Sequence, residues 1–362
     1  MSLNDKELMD VYGCLQQVFP EDLHLARPLV QWLQQQGESE KALRLAMEMA
    51  RRMLAIGHGS SAIAFLELCK RLECPEKDDI ESMMSMAQMS LNDSQVARGK
   101  TFSLIDNLSD HEAMDFIRKA SLVHYQVDKH VVHQGEISDN FYLILKGEMD
   151  VYTQLEDGKY FHLNTLHTSD YFGEYACVYQ LPRSASVKAS SDAAVLEFSK
   201  ESIAELMQQS PEAGEELMHI VGVRLISSML QTHPAFESPA QADKDWLAEE
   251  SMLLVLDDGE VINKKMLGQC HVVIYGCIKA IYRQGDETIA YQLTKDDMFG
   301  NACSALQLPD DVSFVASERC LLCCVPAHIF QSLMRYYGDF EYWVKQHGLA
   351  RQQQMSIADT EH

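Results

Sequence analysis

No apolar run in this 362-residue chain approaches the eighteen or so residues of a membrane-crossing helix, so no membrane span is expected. The start, Met1-Ser2-Leu3-Asn4-Asp5-Lys6, lacks the charged-then-apolar build of a secretory signal, and a cytoplasmic setting is the expectation. Positive charge is scarce: 30 Lys and Arg stand against 54 Asp and Glu, for a formal net charge of −24. Such a field repels phosphate backbones and argues against broad nucleic-acid binding. The ten cysteines, without a secretion signal, read as reduced thiols. Cys320-Leu321-Leu322-Cys323-Cys324 has CxxC spacing, but no second CxxC or Cys–His pair at ligand spacing completes it, so the segment reads as a buried strand and no metal is expected. Nor is there a nucleophile–base arrangement, and acidic pairs such as Asp257-Asp258 read as turn residues. An enzyme is not expected.

What is present is a turn, a carboxylate, a short helical stretch and an arginine in close succession, over Phe172-Gly173-Glu174-Tyr175-Ala176-Cys177-Val178-Tyr179-Gln180-Leu181-Pro182-Arg183-Ser184-Ala185-Ser186-Val187. Gly173, lacking a Cβ, allows close backbone approach to a bound sugar. Glu174 can accept a hydrogen bond from a ribose hydroxyl. Arg183 can meet a phosphate with a forked pair of charge-assisted bonds, and a helix from Tyr175 to about Tyr179 points its amide end at the anion. These residues resemble the phosphate-binding cassette of cyclic-nucleotide-binding domains, shared by regulatory subunits of cAMP-dependent protein kinase, cyclic-nucleotide-gated channels and the catabolite activator protein. Upstream, His133-Gln134-Gly135-Glu136-Ile137-Ser138-Asp139-Asn140-Phe141-Tyr142-Leu143-Ile144-Leu145-Lys146-Gly147 resembles that family's first strand-turn-strand signature, so the likeness runs from about Phe102 to Ser210. Ser169 departs from it, standing where the family usually has glycine. The resemblance implies a ligand site at Gly173, Glu174, Tyr175, Ala176, Arg183, Ser184 and Ala185, with no cofactor beyond the cyclic nucleotide itself. Ser184, following the arginine, tilts the choice toward cAMP, with cGMP left open.

Residues 1–97 read as helices. Ala42, Leu43, Leu45, Ala46, Met49, Ala50 and Met53 recur at three and four residues as one core-facing stripe. Around it, Leu23–Gln36, Ser60–Leu72 and Pro75–Leu91 are stopped by Gly37, Gly57, Gly59 and Pro75. The pair around Gly37 and Ala42 resembles a tetratricopeptide-type hairpin, although no clean 34-residue repeat accompanies it. Such a layer offers a groove to a protein partner; a plain helical bundle is the simpler alternative. Runs such as Phe141–Leu145 and Val195–Phe198 read as short strands of a jelly roll. In Pro211–Gln231, Leu217, Val221, Leu225 and Met229 line up at intervals of four, a row that can close over the nucleotide base, pack on a second copy as a homodimer, or hand a signal onward. A linker with two prolines follows at 232–243.

Beyond the linker the module recurs: Phe172–Met207 aligns without gaps on Phe299–Met334, an offset of 127. Asn301 replaces Glu174 and Asp310, followed by Asp311, replaces Arg183, so this second copy, over about 244–345, is expected to have kept the fold and lost the ligand. The expected architecture is α+β: an N-terminal all-α helical-hairpin domain at 1–97, a cyclic-nucleotide-binding jelly roll with its C-terminal helix at 98–231, the linker, a degenerate jelly roll and a tail at 346–362.

The function this implies is a receptor with one competent site, signalling to a protein partner through its helical and second domains. A kinase-inhibiting subunit would need a substrate-like basic segment, and Arg51-Arg52-Met53-Leu54-Ala55-Ile56 sits inside an amphipathic helix. A transcription regulator would carry a helix-turn-helix where the second β-module stands. A structural scaffold with two vestigial β-modules is opposed by intact Glu174 and Arg183.

Overall fold

Asn4 opens the first helix because its side chain accepts from the amides of Lys6 and Glu7 while Glu7 reaches back to the Asn4 amide, a reciprocal capping box. The helix, α1 (Asp5–Val18), is followed by α2 (Leu23–Gln35), α3 (Ser39–Ala55), α4 (Gly59–Arg71) and α5 (Lys77–Ser90). The computed structural model describes residues 3–91, 102–106, 108–154, 158–263, 266–284, 287–300 and 312–347. Gly37 and Gly57 take φ of 77° and 84° just past α2 and α3, and the amides of Glu38 and His58 return to Leu33 O and Met53 O, which closes each helix and reverses the chain. Glu73, at φ 55°, performs the same turn after α4 without a glycine. The apolar stripe read from α3 is where it was expected: Ala42, Ala46, Met49, Ala50 and Met53 are buried against Ala62, Phe65 and Leu66 of α4 and against Ile80 and Met84 of α5.

The chain divides into two compact units, 1–218 and 219–362, so the helices and the first β-domain share the first unit. Asp22, which caps α2 through the amides of His24 and Leu25, also accepts the Phe102 amide at 2.9 Å. It is fully buried, and burial pushes its carboxyl above the ordinary carboxylate range. Next comes α6 (Asp110–Arg118), whose Asp110 meets His24 and Arg27 of α2, each at 2.9 Å.

The first β-domain consists of β1 (Ser121–Tyr125), β2 (His130–Val132), β3 (Phe141–Lys146), β4 (Met149–Gln154), β5 (Tyr160–Leu166), β6 (Tyr171–Phe172), the short helix α7 (Glu174–Tyr179), β7 (Ser186–Ala189) and β8 (Ala193–Phe198). Two antiparallel sheets result, β1-β8-β3-β6 and β2-β7-β4-β5. Tyr142, Ile144, Met149, Val187, Ala189 and Val195 fill the space between them, as expected of a jelly roll. Helices α8 (Lys200–Gln209) and α9 (Pro211–Thr232) follow.

The second unit repeats this plan. After α10 (Gln241–Glu250) come β9 (Met252–Leu256), β10 (Cys270–Tyr275), β11 (Ile278–Gln284), β12 (Glu287–Leu293), β13 (Met298–Phe299), β14 (Ser313–Ala316), β15 (Cys320–Val325) and α11 (Ala327–Tyr336). The order β9-β15-β10-β13 is that of β1-β8-β3-β6, strand for strand, and β14-β11-β12 matches β7-β4-β5 with a Val261–Val315 bridge in the place of β2. Even the irregularities agree: the bulge between Ile144 and Lys146 returns between Val273 and Tyr275. Ser169 and Asp296, related by the offset of 127, both hold positive φ, 81° and 68°, each donating its amide to the adjacent strand. The serine therefore adopts the conformation for which glycine is the usual choice. Residues 232–243, read from sequence as a linker, carry a 3₁₀ turn at Pro234–Phe236 that buries Ala235 and Phe236. Strand β15 is buried throughout, and its alternation sends Cys320 and Cys323 to opposite faces, so these two cannot chelate one ion together.

Candidate functional site

The cassette is built where β6 turns into α7. Gly173 caps the helix at φ 83° and Gln180 ends it at φ 54°, so six residues form one closed turn and a half between two left-handed corners. Helix formation begins at Glu174, one residue earlier than the sequence pattern indicated. Glu174 and Ala176 are buried, Tyr175 is half-buried, Ser184 is exposed, and Ala185 leads half-buried toward β7.

Arg183 is the centre of the arrangement. Only 4% of it is exposed. Its Nε donates to Ser138 Oγ at 2.8 Å, Nη1 to the Gly173 carbonyl at 2.7 Å, and Nη2 to the Asn140 carbonyl at 2.7 Å, while the guanidinium lies 5.7 Å from the centre of the Tyr142 ring. Its main chain is fixed as well, accepting from the Gly135 amide at 2.8 Å and donating to the Glu136 carbonyl at 2.9 Å. Burial lowers its pKa, and the carboxyls of Glu136 and Glu174 are among the groups that oppose that shift, so the buried cation is balanced by nearby acids as well as by its acceptors. The strand-turn-strand segment around 133–140 and the cassette, two separate motifs in the sequence, are thus clamped together by one arginine.

Sequence reasoning assigned Gly173 to close approach of a sugar. The structure gives it a further reason: a Cβ there would lie 2.5 Å from Arg183 Nη1, 2.8 Å from the Asn140 carbonyl and 3.1 Å from Tyr142 Cδ2. Ser138 and the carbonyls of Asn140 and Gly173 were not anticipated as arginine partners. Ser138 and Asn140 lie inside the upstream signature, but nothing in its spacing says that their loop folds over residue 183. Cys177 in α7 is buried and its thiol is pushed up to about 11, which keeps it protonated and unreactive at neutral pH.

In the second unit the corresponding positions hold different chemistry. His271 replaces Tyr142 and stacks on Phe299 as Tyr142 stacks on Phe172. The imidazole Nε2 donates to the Met266 carbonyl and Nδ1 accepts from the Cys324 thiol, at 2.9 and 3.2 Å. Burial lowers the His271 pKa and raises that of Cys324 to about 12, so the pair is neutral. Asn301, Asp310 and Asp311 lie outside the described residues.

Residues 122–210 match the family model of the cyclic nucleotide-binding domain, and this stretch belongs to that family, with a helical region ahead of it. A cAMP-dependent protein kinase regulatory subunit from Candida albicans is 32% identical over 108 residues, 30% of this chain and 23% of that protein. A cGMP-dependent protein kinase from Toxoplasma gondii is 38% identical over 84 residues, 23% of this chain and 8% of that one. The chain therefore spans less than a quarter of the length of these relatives. Among solved structures, the regulatory domain of Toxoplasma gondii PKA co-crystallised with cAMP is 18% identical with a TM-score of 0.31, covering 67% of this chain and 91% of that one. No helix among the described residues is long and apolar enough to cross a membrane.

Proposed function

We propose that the chain is a cAMP-preferring receptor and regulatory adaptor, without catalytic activity of its own, that binds one cyclic nucleotide in its first β-domain. The observation that carries this reading is the buried, fully oriented guanidinium of Arg183 beside the opening turn of α7. A desolvated cation next to helix-start amides is suited to a single compact anion, and Glu174 at the head of α7 is the acceptor for the ribose 2′-hydroxyl. Ser184, exposed after the arginine, supports cAMP over cGMP in this reading. The second domain, with Asn301 and Asp310 in place of the acid and the arginine, repels the anion and serves packing or partner contact.

Ligand binding acts by population shift: it stabilises the cassette and passes the change to the flanking helices, by no more than the difference in affinity between the two arrangements. The N-terminal helices are the surface offered to a protein partner, and the setting is the cytoplasm. Replacing Arg183 by Ala removes the phosphate's cation and is expected to weaken cAMP binding by well over tenfold, read by calorimetry with cGMP in parallel. Near-wild-type binding by that variant would take Arg183 out of the site.

A further inference from the structure

Arg183 is held at three nitrogens, and the three anchors differ in kind. Two are main-chain carbonyls, of Gly173 and Asn140, that follow from the path of the backbone. The third, Ser138 Oγ, is a side chain, and it takes the Nε–H at the base of the fork. A guanidinium carries five N–H donors. These three bonds use Nε–H and one N–H on each terminal nitrogen, which leaves by count one further N–H on Nη1 and one on Nη2, the pair that a forked contact to two phosphate oxygens requires.

We infer that Ser138 is a positioning residue of the nucleotide site: its hydroxyl fixes the rotation of the Arg183 plane about the Cδ–Nε bond, so that the two remaining N–H groups stay paired toward the anion. This rests on the reading of the cassette as a cyclic-nucleotide site. Ser138 lies in the loop between β2 and β3, where Gly135, Glu136, Ile137 and Asp139 are exposed and Ser138 is half-buried, so the loop tolerates a change of side chain without loss of the core. Without the hydroxyl the Nε–H loses its acceptor, and the carbonyl bonds at Nη1 and Nη2 are left to hold the plane.

The test is titration of the full-length chain with cAMP in wild type, Ser138→Ala and Ser138→Thr, alongside the Arg183 Nε–H signal in ¹⁵N spectra. Ser138→Ala is expected to bind about tenfold to a hundredfold more weakly, the loss of one charge-assisted hydrogen bond between the misaligned guanidinium and the phosphate. Its Nε–H signal exchanges with water faster, and Ser138→Thr, which keeps the hydroxyl, restores binding and protection together. If Ser138→Ala fails to fold by circular dichroism, Ser138→Cys, close in volume and a poor acceptor, replaces it in the comparison. Wild-type binding with an unaltered Ser138→Ala affinity and a still-protected Nε–H overturns the role of Ser138 alone. No binding by the wild-type chain overturns the cyclic-nucleotide reading and this inference with it.

Discussion

Replacing Gly173 by Ala tests whether the turn and the arginine form one unit. At φ 83° any side chain carries the left-handed penalty of about 1–2 kcal/mol. The new Cβ would also lie 2.5 Å from Arg183 Nη1 and 2.8 Å from the Asn140 carbonyl. The guanidinium end can swing aside, but the carbonyl belongs to the backbone and must move with its loop, a rearrangement of about 1–3 kcal/mol. The sum is about 2–5 kcal/mol. Gly158 provides the control, because it has φ 80° with nothing within 4 Å of its Cβ, so Gly158→Ala carries only the left-handed cost of about 1–2 kcal/mol. Urea unfolding followed by circular dichroism measures both variants, and amide exchange at Gly135 and Arg183, whose N–H groups join the loop to the cassette, localises the damage. The expected result is a larger loss for Gly173→Ala, with faster exchange at both amides. Equal losses in the two variants, with exchange unchanged, would refute the coupling.

Replacing Asp22 by Ala leaves the amides of His24, Leu25 and Phe102 without their acceptor and is expected to destabilise the first unit by about 2–4 kcal/mol in thermal or urea unfolding; a change within experimental error would show that water takes the carboxylate's place. In the second unit, burial lowers the pKa of both His233 and His271 below the ordinary value of 6.5. The unfolded chain then takes up protons that the folded unit refuses. Stability is whole above pH 6.5 and falls on acidification from there to the folded pKa values, with a slope of at most about 1.4 kcal/mol per pH unit for each histidine. Unfolding measured between pH 8 and 5 checks this, and a flat profile would contradict the burial of neutral imidazoles.

Much of the fold was legible because it rests on periodicity and punctuation. The α3 stripe, the glycines at 37 and 57 and the matched Phe-Gly segments carry their structural meaning locally. Helices α1, α6, α8, α10 and α11 have no bounds in the sequence reading: α1 and α6 announce themselves by capping boxes at Asn4 and Ser109, a signal available in the sequence but weaker than an apolar stripe. Ser169 illustrates a different limit, since local propensity disfavours its positive φ and its turn is held by hydrogen bonds to β3, from the Ser169 amide to the Ile144 carbonyl and from the Ile144 amide to the Asp170 carbonyl. The site residues could be named from spacing, but their mutual arrangement could not. That Arg183 is held by the Asn140 and Gly173 carbonyls depends on a loop some forty residues upstream folding over it, a tertiary approach that leaves no mark on residue type. The burial of Phe236 against Phe340 is of the same kind, for the composition of 232–243 reads as a connector.

The proposal stands on one charge complement present in the first β-domain and reversed in the second. Isothermal titration of the full chain with cAMP measures it directly through stoichiometry. One nucleotide per chain is the result the account predicts; two per chain, or no binding at millimolar nucleotide, would contradict it.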